Sequence, residues 1–149
     1  MKTAIPESLL AQWFRRVWTE ADESAIDELA AADGVSHGLM ETIVGIAAWR
    51  KDFYEPMRAA FDRVKVEVLE ELTVGDKVFG RLKAEMLLKS TGQTVTMPGM
   101  NMMRIANGKI VESWDSWDFL GVIESMKLLP PGSFGRAVTG GLTQHPMMA

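Results

Sequence analysis

The chain has no cysteine and only two histidines, His37 and His145. Without thiols there is no disulfide, thiolate nucleophile or thiolate metal site, and two histidines alone cannot build a multi-histidine centre. The sequence also shows no Gly-rich phosphate loop, nucleophile elbow or metal-ligand spacing, so neither metal nor cofactor is expected. Positive charge is scarce as well: 16 Lys and Arg stand against 20 Asp and Glu, a net charge of −4. No segment gathers cations among aromatics, which argues against a nucleic-acid partner. No stretch approaches the roughly twenty apolar residues that cross a bilayer, and the N-terminal residues do not join a cationic segment to an apolar run. These absences predict a cytoplasmic protein with no membrane partner.

What remains is enough apolar content for a core: 47% of 149 residues are hydrophobic, which suits one domain over residues 1–149. Leu9, Leu10, Trp13, Phe14, Val17, Trp18 and Ala21 form one helical stripe that Pro6 can open at its first turn. A second helix is expected from Glu23 to Ala31, followed by a short extended piece carrying His37. A third runs from Gly45 to Asp62, with Trp49, Phe53 and Met57 on one side.

From Val64 the periodicity changes to two. "VKVEVLEELTV", "KVFGRLKAEMLLK", "TVTMPGMNMMRI" and "KIVESWDSWD" read as an antiparallel meander with turns at Gly75-Asp76, Thr91-Gly92 and Asn107-Gly108. Asp118 can cap a last helix from Phe119 to about Leu129, and Pro130-Pro131 end it before an irregular tail over 130–149 that contains His145. The architecture expected is α+β: three N-terminal helices covering one face of a curved, mostly antiparallel sheet.

Alternation assigns the faces. Leu82, Ala84, Met86 and Leu88 point inward, and a two-residue turn at Thr91-Gly92 would pair Leu88 with Val95 and Met86 with Met97. At Asn107-Gly108 a three-residue loop from Ala106 to Gly108 keeps Arg104 and Glu112 together outside, with Met103, Ile105 and Val111 inside. Asp115 then points inward, with Asn101 opposite Ser113 and diagonal to Asp115. Two readings of Asp115 follow: a carboxylate at the sheet edge that reaches water or caps backbone, or a carboxyl group facing a cavity. In the cavity, lost hydration raises its pKa, as a general acid or base requires. Asn101 would orient it or hold a developing oxyanion, and His37 is either a second acid/base group or a structural residue. Phe14, Trp18, Trp49, Phe53, Met97, Met103, Ser113 and Trp117 would line the cavity as core or as a hydrophobic-ligand site. The outward set, which includes Met100, Met102 and Trp114, mixes charge with large apolar groups and suggests a homodimer through the sheet.

The block "MMRIANGKIVESWDSWDFLGVIESMKLL" and the order of elements resemble the SnoaL-like polyketide cyclases of the nuclear-transport-factor-2-like superfamily. The resemblance implies a cone of three helices on a curved mixed sheet, usually dimeric. It also implies a cofactor-free ring closure by intramolecular aldol condensation, with the acid/base aspartate at Asp115. Cyclases of the family carry a histidine where this chain has Asn101. Three functions are consistent with the resemblance: an acid/base cyclase, isomerase or dehydratase acting on a hydrophobic carbonyl compound, a limonene-type epoxide hydrolase, or a binding protein for a hydrophobic small molecule. The epoxide hydrolases use an Arg-x-Asp pair whose nearest match here is Lys83-Ala84-Glu85, and alternation turns Lys83 and Glu85 outward.

Overall fold

A computed structural model describes residues 4–140. Ser8 opens the first helix by accepting the Ala11 amide at 3.0 Å, so Pro6 precedes the helix rather than starting it. The helix runs as Leu9–Gln12 and widens without a break into a π-helical segment, Trp13–Thr19. Widening leaves carbonyls at its end short of helical partners. The Arg58 guanidinium supplies them, donating to the Val17 carbonyl at 2.8 Å and to that of Trp18. A short helix follows at Ser24–Leu29. The third helix is Ile46–Trp49, continued by the π segment Arg50–Tyr54 and by Glu55–Ala60.

The strands are β1 (Ala30–His37), β2 (Ile43–Val44), β3 (Phe61–Val74), β4 (Lys77–Leu88), β5 (Gln93–Ala106) and β6 (Lys109–Trp117). They form one six-stranded sheet in the order β2-β1-β6-β5-β4-β3. Among the described residues only the β1–β6 pairing is parallel. The helices lie on one face, where Leu10, Phe14, Val17, Trp18, Trp49 and Tyr54 join Leu82, Met86, Val95 and Met103 in a single core.

Two registers differ from the sequence expectation. Between β4 and β5 the loop spans 89–92, closed by the Gly92 amide on the Leu88 carbonyl at 2.8 Å. Leu88 therefore pairs with Gln93, and Met86 with Val95. The slip is by two residues, so the inward set is unchanged. Between β5 and β6 the turn is the two-residue Asn107-Gly108, with φ of 51° and 71°, as a type I′ turn requires. The extra residue that the pattern demands is instead Val111, a bulge in β6 between the pairs Ile105↔Ile110 and Arg104↔Glu112. The bulge restores Asp115 to the inner face and sets it directly opposite Asn101, rather than diagonal to it.

After β6, Asp118 accepts the Gly121 amide at 2.9 Å and caps the helix Phe119–Ser125, which ends earlier than expected, with Lys127 at a φ of 61°. The tail is not wholly irregular: Ser133–Val138 form a helix whose first amide is held by Glu124 at 2.8 Å. His145 lies outside the described residues. Among the described residues no helix is long and apolar enough to cross a membrane.

Candidate active site

The inner face of the sheet and the helices enclose a cavity of about 70 Å³. Phe14, Trp18, Trp49, Phe53, Met97, Met103, Ser113 and Trp117 all line it, together with Asn101 and Asp115. Sequence reasoning missed Ser36, Leu39 and Ile110, which also reach it. Ser36 comes to the wall through the parallel pairing Ser36↔Ser113, and no local pattern announces a parallel partner so distant in sequence. The two hydroxyls meet at 3.2 Å, Ser113 donating to Ser36.

The centre of the polar wall is Asp115. Its Oδ1 accepts from Asn101 Nδ2 at 2.9 Å and from the Trp117 indole Nε1 at 3.1 Å. Loss of hydration raises its pKa to about 6, while the donors Asn101, Trp117 and Ser113 pull partly in the other direction. Desolvation is the larger effect because the surrounding wall is aromatic and aliphatic. Asn101 is only 4% exposed, and its Oδ1 has no hydrogen-bond partner among the described residues. With Nδ2 directed at the carboxylate, the amide orients Asp115 and leaves a free acceptor behind.

His37 is not part of this wall. Residues alternate across β1, so with Ser36 inward, His37 projects through the other face of the sheet. There its Nε2 meets Glu112 Oε1 at 2.9 Å, its Nδ1 meets Thr42 Oγ1 at 3.1 Å, and its ring stacks on Trp114 with centroids 5.3 Å apart. Against the expectation of an acid/base group in the cavity, His37 therefore does not line it and lies on the outer face of the sheet. Lys83 and Glu85 are likewise outside: Lys83 Nζ lies 3.7 Å from Glu67 and 3.9 Å from Glu85. Among the described residues no three of His, Cys, Asp or Glu converge to hold a metal ion.

Residues 8–125 match the SnoaL-like polyketide cyclase family. The chain belongs to that family. Among solved structures, this SnoaL-like chain resembles IdmH, a proposed polyketide cyclase from Streptomyces antibioticus, at 24% identity and a TM-score of 0.68, over 80% of this chain and 96% of that one. A protein with a ketosteroid isomerase-like fold from Catenulispora acidiphila shares 20% identity, with a TM-score of 0.72 over 85% and 96% of the two chains. AclR, a proposed hydroxylase from Streptomyces galilaeus, shares 22% identity, with a TM-score of 0.68 over 82% and 92%. At these identities the likeness establishes the fold, and the named activities differ from one neighbour to the next. No curated protein matches the sequence.

Proposed function

We propose that this SnoaL-like chain is a cofactor-free acid/base enzyme of cyclase, isomerase or dehydratase type, acting on a hydrophobic carbonyl compound held in the cavity. The observation that carries this reading is the Asp115 carboxyl group: it sits in an apolar wall, takes the Asn101 and Trp117 donors on one oxygen, and has its pKa pushed up to about 6. A carboxylate that ionises there is a usable base near neutral pH and a usable acid once it has taken a proton. Asp115 would remove a proton from carbon beside a carbonyl and return it to carbon or oxygen later in the cycle. Asn101 does not ionise, so Asp115 carries the proton alone and Asn101 keeps it aimed. The Ser36 hydroxyl, 3.2 Å from that of Ser113 on the cavity wall, is a rotatable donor for the developing oxyanion.

A cavity of about 70 Å³ is smaller than the roughly 150 Å³ that admits benzene in an engineered core. Binding therefore needs side-chain movement. Met57, Met86, Met97 and Met103 in the lining are the adaptable residues that permit it. The test is a screen of hydrophobic carbonyl compounds with wild type and Asp115→Asn. Turnover that vanishes in the variant while ligand affinity persists supports the reading, and turnover unchanged in the variant refutes it. The outward positions of Lys83 and Glu85 weigh against epoxide hydrolysis. A binding-only reading draws on Asn101 standing where cyclases of the family carry histidine; it predicts a tight ligand recovered unaltered after long incubation.

We also infer a homodimer through the outer sheet face, where Phe79 is 41% and Met100 59% exposed beside Met102 and Trp114. Contiguous apolar surface of this kind favours association. A monomeric mass by light scattering at micromolar concentration would rule it out.

A further inference from the structure

We propose that Trp117 is a positioning residue that fixes which oxygen of Asp115 carries the proton, through an indole N–H seated by Gly99. The proposal rests on the reading of Asp115 as the acid/base group and deepens it. Both fixed donors, Asn101 Nδ2 and Trp117 Nε1, meet the same oxygen, Oδ1, at 2.9 and 3.1 Å. An amide can turn over and offer its oxygen instead. An indole N–H can only donate. A proton on Oδ1 would face that donor, so the proton resides on Oδ2, and the reactive oxygen is chosen before a substrate arrives.

The seat of the indole is built by the partner strand. Gly99 stands opposite Trp117 in the register, and a Cβ at Gly99 would lie 2.1 Å from the ring carbon Cε3. Any other residue there displaces the ring. Phe14 meets the indole edge-on from the helix side, with centroids 5.9 Å apart and planes at 65°. Held between backbone and Phe14, the ring lies across β5 and directs Nε1 back along its own strand to Asp115. The only other acidic residue bordering the cavity among the described residues is Glu112, whose carboxylate is turned to the outer side and held by His37 and Arg104. Glu70, Glu71 and Arg81 border the outer groove that Asp115 also touches; Arg81 pairs with Glu70, and Glu71 accepts from Ser8. None of these replaces the indole at Oδ1.

The test is nuclear magnetic resonance on the full chain, and it needs no substrate. In wild type the Trp117 indole N–H shift should move with pH at the same midpoint as the Asp115 carboxyl carbon; an indole shift that stays constant through that transition overturns the proposal. Trp117→Phe keeps an aromatic ring but removes the donor, and the Asp115 midpoint should rise by about one unit, roughly a tenfold fall in the dissociation constant. Gly99→Ala keeps the indole but lifts it from its seat, and should move the midpoint in the same direction. An unchanged midpoint in either folded variant overturns the role. If these shifts fail while turnover still requires Asp115, the Trp117 role alone is refuted. If they hold while turnover survives Asp115→Asn, the positioning stands and the enzymatic reading fails.

Discussion

Glu112 and Asp115 stand on the same strand, yet the protein treats their carboxyl groups in opposite ways. Glu112 faces outward, where the His37 imidazole and then the Arg104 guanidinium lower its pKa. Asp115 faces the cavity, where burial raises its pKa to about 6 against neutral donors alone. Neutral donors stabilise a carboxylate less than a cation does, and they do not offset the loss of water. Residue type does not decide which carboxylate becomes a base; the side of the sheet and the charge of the partner do.

The largest expected effect of breaking this contrast is on turnover. Asp115→Asn removes the base while its amide oxygen can still accept from Asn101 and Trp117, so activity should fall by about 10²–10⁴ with the fold intact, as measured with the compound that the screen identifies. The same variant should be more stable than wild type at high pH. A folded-state pKa raised above its unfolded value favours folding below the unfolded value, and that contribution is lost as pH rises through the folded one. For Asp115 the window runs from about 3.8 to about 6. Urea unfolding at pH 8 should show the variant gaining on the order of 2–3 kcal/mol, shrinking toward pH 4. No gain at pH 8 would mean that the carboxylate is not desolvated.

Asn101→Ala should act in the opposite sense and more weakly. It strips one donor from the ionised carboxylate, a cost of about 1–2 kcal/mol at pH 8, with the cavity left by the side chain persisting at pH 4. Equal stability of variant and wild type at both pH values would contradict the orienting bond. Glu112→Gln should have the smallest effect. Its lowered pKa stabilises the fold above the unfolded carboxylate value and ceases to do so as pH falls through the folded one, and partly exposed ion pairs contribute little. Thermal unfolding should shift slightly downward at neutral pH and not at all in acid.

The faces of Leu82, Ala84, Met86, Met97, Asn101 and Asp115 were legible in the sequence because alternation is a parity that both register shifts preserved at these residues; Ile110, which is inside on the hairpin side of the bulge, was not. Shifting β4 against β5 by two residues left Met86 and Met97 inside. At the last hairpin the pattern required one extra residue but did not say where. Loop and bulge satisfy it equally, and only packing selected Val111 over Ala106, which moved Asp115 from diagonal to directly opposite Asn101. His37 was not legible, because its face depends on a parallel pairing with β6 that no neighbouring residue encodes. The donor role of Trp117 was hidden for a different reason: it depends on Gly99 across the ladder, and sequence alone presented both only as inward-facing.

The most direct measurement is the pH titration of the Asp115 carboxyl carbon in the full chain, assigned by comparison with Asp115→Asn. A midpoint near 6 is expected for a carboxyl group desolvated in the cavity and held by neutral donors. A midpoint at the ordinary aspartate value of about 3.9 would place the group in water and contradict its role as the base.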